Sequence, residues 1–248
     1  MIIDCISDLH GCVPTLRGGD VLIVAGDCTA RDKIPEWARF FEWLKAQDYQ
    51  KKILVAGNHD VLAQNCFPKN EQEAKDCAEI REMCNEVEDF DYLCDSGIEY
   101  EGLKIWGTPY SRSFVGMNPE CMGFTKPNEE MLWDTWEKIP LDTDILITHC
   151  PPLGILDISR NKRRYGSSSL FNRVVKLKNL KLHVFGHIHG GYGWEHQYES
   201  SETPLGPATP GGRLSVNAAQ MDDGYDFHDR PIRVILEEKA VALVEEND

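Results

Sequence analysis

Five short apolar runs, rich in β-branched residues, punctuate the chain: Met1 to Ile6, Val21 to Ala25, Ile53 to Ala56, Ile145 to Ile147 and Leu182 to Phe185. Runs of this length match strands covered on both faces. Between several of them the period lengthens to that of a helix. Pro35 to Ala46 places Trp37, Phe40, Phe41 and Leu44 on one side, behind a proline in the first turn, which predicts a helix with an aromatic core stripe. Glu71 to Val87 predicts an acidic amphipathic helix with a solvated face, and Asn128 to Lys138 and Ser167 to Val175 predict two more. This alternation argues for βαβ units and a largely parallel sheet. Gly11 to Asp20 is too short and too rich in Gly and Pro for a crossover helix. Gly97 to Pro109 reads as a hairpin, in a second sheet or at an antiparallel edge. Short strands broken by Gly and Pro turns run from Gly193 to Asn217, and Ile232 to Val244 supplies terminal strand.

At 248 residues, 42% hydrophobic and 27% charged, the chain has an ordinary globular composition. It carries no internal repeat or interdomain linker, so one α/β domain over residues 1–248 is expected. No stretch approaches the ~18 to 20 apolar residues of a membrane span, and the first strand leaves no room for a signal peptide, so a cytoplasmic location is expected. The nine cysteines are odd in number and contain no C-x-x-C spacing, which favours reduced thiols. Cys12, Cys28 and Cys150 each lie within two residues of a polar motif and are read as small packing residues. A net charge of −15 disfavours extended nucleic-acid binding. One basic run, Arg160 to Arg164, stands against that trend, as a solvated loop or as an anion guide beside a site.

The chemistry lies where the apolar runs end. Asp8-Leu-His10, Gly26-Asp27, Gly57-Asn58-His59-Asp60, Thr148-His149 and Gly186-His187-Ile-His189 each follow one of the five runs. In open α/β sheets ligands bind at the carboxyl ends of strands, so residues far apart in sequence can converge there. Asp8 and His10 alternate on one face and can reach one ion. Asp27 can bridge two cations about 3.5 to 4 Å apart. Asn58, His59 and Asp60 offer an amide carbonyl, an imidazole and a carboxylate in succession. His187 and His189 can face two adjacent metals, with glycines leaving room. Each cluster alone is an ordinary turn; the five together, in this order, read as a two-metal hydrolase.

That order resembles the calcineurin-like metallophosphoesterase superfamily, with matched segments from Asp4 to about Gln220. Within it, Trp106-Gly-Thr-Pro109, Thr148-His149-Cys-Pro-Pro152, His183 to Gly193 and Asn217-Ala resemble the metallophosphoesterase-domain branch, which is similar to class III cyclic nucleotide phosphodiesterases. The resemblance implies a four-layer α/β/β/α sandwich of two mixed β-sheets flanked by helices. It implies that Asp8, His10, Asp27 and His189 hold one divalent ion, and Asp27, Asn58, His149 and His187 a second, with a water or hydroxide between them. His59 would then serve the leaving oxygen as acid or charge stabiliser, with Asp60 orienting its ring. Some relatives in the branch lack the first histidine of Gly-His-x-His; here His187 is present, which implies a competent enzyme. The ligand types suit Mn, Fe, Zn, Co, Ni or Mg.

By the same resemblance the substrate is a small phosphodiester, with 3′,5′-cyclic nucleotides leading and Asn58 and His59 contacting the phosphate. Tyr110, Arg112, Phe114, Tyr192 and Trp194 lie near motif ends and could line a base or aryl pocket. The alternatives are a phosphomonoesterase or protein phosphatase of the same fold, and a metal-binding scaffold. Gly-Asp-Cys-Thr-Ala-Arg departs from the Gly-Asp-x-Val-Asp-Arg-Gly of the protein phosphatases, and scaffolds tend to lose ligands that this chain keeps. Oligomeric state is not legible.

Overall fold

The structure is a computed structural model that describes residues 1–64, 70–113, 118–197, 212–237 and 240–243. In chain order its elements are β1 (Ile2–Ile6), β2 (Gly19–Ala25), α1 (Ile34–Lys45), β3 (Tyr49–Val55), α2 (Glu71–Asn85), β4 (Phe90–Tyr92), β5 (Ser96–Tyr100) and β6 (Leu103–Thr108). There follow β7 (Ser111–Arg112), β8 (Thr125–Lys126), α3 (Glu129–Trp136), β9 (Ile145–Thr148), α4 (Ser168–Val174), β10 (Leu182–Phe185), β11 (Gly193–Gln197), β12 (Arg213–Asn217), β13 (Ile232–Glu237) and β14 (Ala240–Leu243). The helices start where side chains satisfy free amides. Asn70, Asn128 and Ser167 accept from Glu73, Met131 and Leu170 at the starts of α2, α3 and α4. Glu36 folds back onto the amides of Ala30, Arg31 and Lys33 before α1.

The strands form two six-stranded sheets, ordered β14-β13-β1-β2-β3-β4 and β11-β12-β10-β9-β6-β5. These are the two mixed sheets that the resemblance implies, each with the parallel centre that the βαβ pattern suggests. β1, β2, β3 and β4 run parallel, but β13 pairs antiparallel with β1. β6, β9, β10 and β12 run parallel, with antiparallel edges at β5 and β11. Hydrophobic runs report burial on both faces, not the direction of pairing. The first two parallel strands are joined without a helix. β4, three residues of intermediate burial, carries no apolar run to announce it. Of the segment Gly193 to Asn217, residues 198–211 lie outside the described residues, as does Val244.

Alternating positions sort into three cores. Ile3, Val21, Ile23, Ile53 and Val55 meet Ile105, Ile145, Ile147, Val184 and Val216 between the sheets. Leu22, Val24 and Leu54 face outward to Trp37, Phe40, Phe41 and Leu44 of α1 and Ile80 of α2. Leu146 and Phe185 face the opposite way, to Leu132 and Trp136 of α3 and Leu170 and Val174 of α4. The result is the four-layer α/β/β/α arrangement, in which the sheets are buried on both faces and only their ends are free for chemistry. Among the described residues no helix is long and apolar enough to cross a membrane.

The two sheets come into tight contact at a position that lacks a side chain. A Cβ on Gly107 would lie 2.4 Å from Leu93 Cβ and 2.8 Å from Val55 Cγ2. Gly107→Ala should therefore lower stability by about 1 to 3 kcal/mol through overpacking, read as a lower urea midpoint with unchanged slope. An unchanged midpoint would mean that the sheets part freely at this point.

Candidate metal centre

All five polar clusters sit at carboxyl ends of strands, and the turns that carry them are knitted together across the sheets. Ser7 bridges in parallel to Ala219, Asp8 N donates to Gly26 O at 2.8 Å, His10 N to Asp27 O at 3.0 Å, and Gly186 N to His149 O at 2.9 Å. Three glycines make this approach possible. A Cβ on Gly26 would lie 2.3 Å from His149 Nδ1, on Gly57 2.2 Å from Asp27 Oδ1, and on Gly186 2.0 Å from Asp8 Oδ2. Four side chains at the centre pay a conformational cost instead: Asp8, His10, Asp27 and His187 have φ of 52°, 44°, 53° and 66°. Left-handed backbone at non-glycine residues is strained and persists only where its surroundings hold it.

Side-chain orientation follows from hydrogen bonds to the backbone. His149 Nδ1 donates to Ala25 O at 2.9 Å, His189 Nδ1 to Asp222 O at 3.0 Å and His59 Nδ1 to Ala30 O at 3.0 Å. In each ring the carbonyl fixes the proton on Nδ1 and leaves Nε2 for the site. Asn58 gives its amide nitrogen to Cys121 O, so its Oδ1 lies 3.0 Å from His149 Nε2. His187 N donates to both oxygens of Asp8, and Ser7 Oγ donates to Oδ2. Asn217 braces the turn between His187 and His189 by donating to Ile188 O and Leu156 O.

Three overlapping sets offer donor atoms within 4.8 Å of one another: Asp8, His10 and His189; His10, Asp27 and His59; Asp27, His149 and His187. Asp27 presents Oδ2 to His10 Nε2 at 3.9 Å and Oδ1 to His149 Nε2 at 3.4 Å. His10 Nε2 and His189 Nε2 face each other at 3.3 Å, and His189 Nε2 lies 3.3 Å from Asp8 Oδ1. Converging imidazole nitrogens around near-buried carboxylates, with the space between them kept by glycines, fit a site for divalent cations.

The charges are strongly perturbed. Burial alone would raise Asp8, but its hydrogen bond to His189 and the charges of His189 and His149 bring it down to about 2. Burial likewise opposes ionisation of Asp27, yet His149, His59 and His10 hold it well below the carboxylate range. His149 and His189 are raised to about 9, because Asp27 and Asp8 outweigh their burial. Burial lowers His10 to about 4 and His187 to about 3.

Asp60 corrects one expectation. Its carboxylate does not serve the His59 ring; it accepts from Gly57 N, Cys28 N, Thr29 N and Thr29 Oγ1. It thereby ties the turn after β3 to the turn after β2, and the Ala30 carbonyl takes over the ring. Tyr110, Arg112, Tyr192 and Trp194 do not line the cavity of about 460 Å³ over the centre. Tyr110 packs on Phe124 with Lys126 over its ring. Arg112 points toward Glu129 at 3.8 Å, Tyr192 hydrogen-bonds Arg230 O, and Trp194 is exposed on β11. Phe114 lies outside the described residues. The cavity is lined instead by Asn118, Cys121, Ser159, Tyr165, Asp223 and Tyr225, beside Asp27, Asn58, His59, His187 and His189. Tyr225 stands edge-on to both His10 and His189, centroids 5.1 and 5.2 Å away. The turn cluster Asp222-Asp223-Gly224, just beyond Asn217-Ala, was the signal that could have found it.

The calcineurin-like phosphoesterase family model matches residues 1–191, and the chain belongs to that family. It is 36% identical over 205 residues to human metallophosphoesterase domain-containing protein 1, covering 76% of this chain. It spans 60% of that relative's length. A UPF0046 protein of Caenorhabditis elegans is 31% identical over 247 residues, covering 92% of this chain and 58% of its own. A solved crystal structure superposes with a TM-score of 0.66 at 14% identity, covering 98% of both chains, which shows the shared fold.

Metal uptake should displace protons, since His149 and His189 are protonated below about 9 in the metal-free protein whereas His10 and His187 are already neutral. Titration with Mn at neutral pH, in buffers of different ionisation enthalpy, should show release approaching one proton from each raised histidine. Affinity should rise with pH and level off above about 9. Uptake without proton release would contradict this charge arrangement.

Proposed function

We propose that this chain is a dinuclear metal-dependent phosphodiesterase acting on small diesters such as 3′,5′-cyclic nucleotides. The observation that carries the proposal is Asp27, one carboxylate that turns a different oxygen to each of two histidine clusters. In this reading Asp8, His10, Asp27 and His189 hold one ion, and Asp27, Asn58, His149 and His187 the other. When bound, two divalent ions supply Lewis acidity and a water of lowered pKa.

The chain's own residues do the rest. Nδ1 of His59 is committed to Ala30 O, so Nε2 is the atom that delivers a proton to the leaving oxygen at the cavity wall. Asn58 and His59 flank the phosphate, and Asp60 positions both by holding their turn against Cys28 and Thr29. Tyr225 offers its exposed ring as a platform for a base or aryl group.

A diester is favoured over a monoester because the described cavity lining contains no lysine or arginine and does contain Asp27 and Asp223. A monoanionic diester needs less compensating charge there than a dianionic monoester. Manganese, iron, zinc, cobalt, nickel and magnesium all match the donor set, so availability would decide occupancy. Eight free thiols among the described residues fit a cytoplasmic location. The acidic chain fits small substrates better than extended nucleic acid.

Mn-supplemented protein should hydrolyse bis-p-nitrophenyl phosphate faster than p-nitrophenyl phosphate, with cyclic AMP as the physiological comparison. His59→Ala should lower diester turnover by about 10²- to 10⁴-fold, the range of a lost general acid, while metal content holds. Metal-loaded protein with no turnover on any of the three would sink the proposal in favour of a scaffold or a narrower substrate.

A further inference from the structure

The basic run Arg160-Asn-Lys-Arg-Arg164 opposes a net charge of −15, and the fold sets it at the rim of the metal centre. Ile158 and Arg164 form an antiparallel bridge. Ser159 N donates to Arg163 O at 3.1 Å and Lys162 N to Ser159 O at 2.7 Å, so the run is the tip of a tight hairpin. Both stems reach the cavity: Ser159 and Tyr165 line it together with Asn58, His59, His187 and His189.

The hairpin is seated firmly. Buried Asp157 accepts from Gly154 N, Gly166 N and Arg164 Nη1. Asp223 accepts from Arg160 N and from Ser159 Oγ. Gly190, between His189 and the hairpin, lets the two pack closely, since a Cβ there would lie 2.5 Å from Asp223 Oδ2, 3.0 Å from Ile158 O and 3.1 Å from Arg160 N. The basic tip therefore keeps a fixed place beside the ligand-bearing turn.

The charges at the tip are not all internally matched. Arg164 pairs with Asp157, and Arg160 lies in the field of Asp222. Lys162 and Arg163 are exposed and make no ion pair among the described residues. Exposed charges act over about 8 Å at physiological ionic strength. The tip is thus a basic segment whose two flanking residues, Ser159 and Tyr165, line the cavity, while the lining itself offers no lysine or arginine.

We infer that Arg160, Lys162 and Arg163 form a subsite for a second anionic group on the substrate, remote from the scissile diester. A nucleotide-like diester with an additional phosphate would then be preferred over the same diester without it. This inference rests on the phosphodiesterase reading above and narrows its substrate class.

The test uses the metal-reconstituted full chain and a matched pair of substrates, thymidine 5′-(p-nitrophenyl phosphate) and its 3′-phosphorylated counterpart. Equilibrium binding of thymidine 5′-monophosphate and thymidine 3′,5′-bisphosphate is measured beside it. The second phosphate should raise both kcat/KM and affinity by about tenfold, a surface-pair magnitude summed over the cations. The preference should weaken with salt and fall to within about twofold of unity in the combined Arg160→Gln, Lys162→Gln, Arg163→Gln variant. Lys162→Gln alone, at an exposed turn position, should remove part of it. Equal treatment of the two ligands by the wild-type chain, or a preference that survives the combined variant, overturns the inference. If neither diester turns over, the phosphodiesterase reading fails, and the binding ratio still decides the subsite.

Discussion

Three aspartates, Asp8, Asp27 and Asp60, lie almost without solvent at the carboxyl ends of the strands. A buried carboxylate is destabilising by several kcal/mol unless its charge is met by donors or cations. Much of the centre can be read as the way each one is met. Asp60 is met by three backbone N–H groups and one hydroxyl. Burial and the charge of Asp27 nevertheless outweigh those bonds and raise it to about 7. Asp8 and Asp27 are met by imidazoles and are driven down. Carboxylates of one residue type are thus divided by environment into one that braces two turns and two anions suited to cations. The imidazoles that satisfy Asp8 and Asp27 in the metal-free protein are the same groups that would share them with metal.

The price of that concentration of charge falls on the backbone. Sheets packed through a full apolar interlayer keep their strand ends apart unless the turns bend inward. They bend by placing glycine at Gly26, Gly57 and Gly186 and by forcing Asp8, His10, Asp27 and His187 into left-handed backbone. Each such residue stores strain of about 1 to 3 kcal/mol. The apolar cores supply the rigidity that holds the turns there, which explains why ligands from both sheets can meet with little freedom left in their side chains.

The positions of the clusters were legible in the sequence because each follows a β-branched run that could only be a buried strand, and a strand's end is a fixed place. Roles within a cluster were less legible. Asp60 next to His59 reads as its partner, but successive residues of a tight turn point apart, and Asp60 turned into the protein while the ring found Ala30 O. Tyr110 and Arg112 follow a strand end yet turn toward Phe124 and Glu129. Tyr225 and Ser159 arrive on turns whose path no period encodes. The mixed direction of the sheets came from the resemblance and not from local pattern, since pairing of β1 with β13 joins residues more than 200 apart.

The thiols beside the ligands show how strictly the turns sort their side chains. Cys28 follows Asp27 but packs among Leu22, Val24 and Trp37, and Cys150 follows His149 but packs with Leu146, Leu170 and Phe185. Burial pushes both thiols well above their ordinary range, so neither is a ready thiolate for metal or oxidant. Sequence adjacency to a ligand is therefore no measure of access to the site. With these two sulfurs turned away, the donors that converge are imidazole nitrogen, carboxylate and one amide oxygen, a set that discriminates weakly among first-row divalent ions. Selectivity of this centre then has to come from geometry, and the strained, glycine-spaced turns are the part of the chain that sets it.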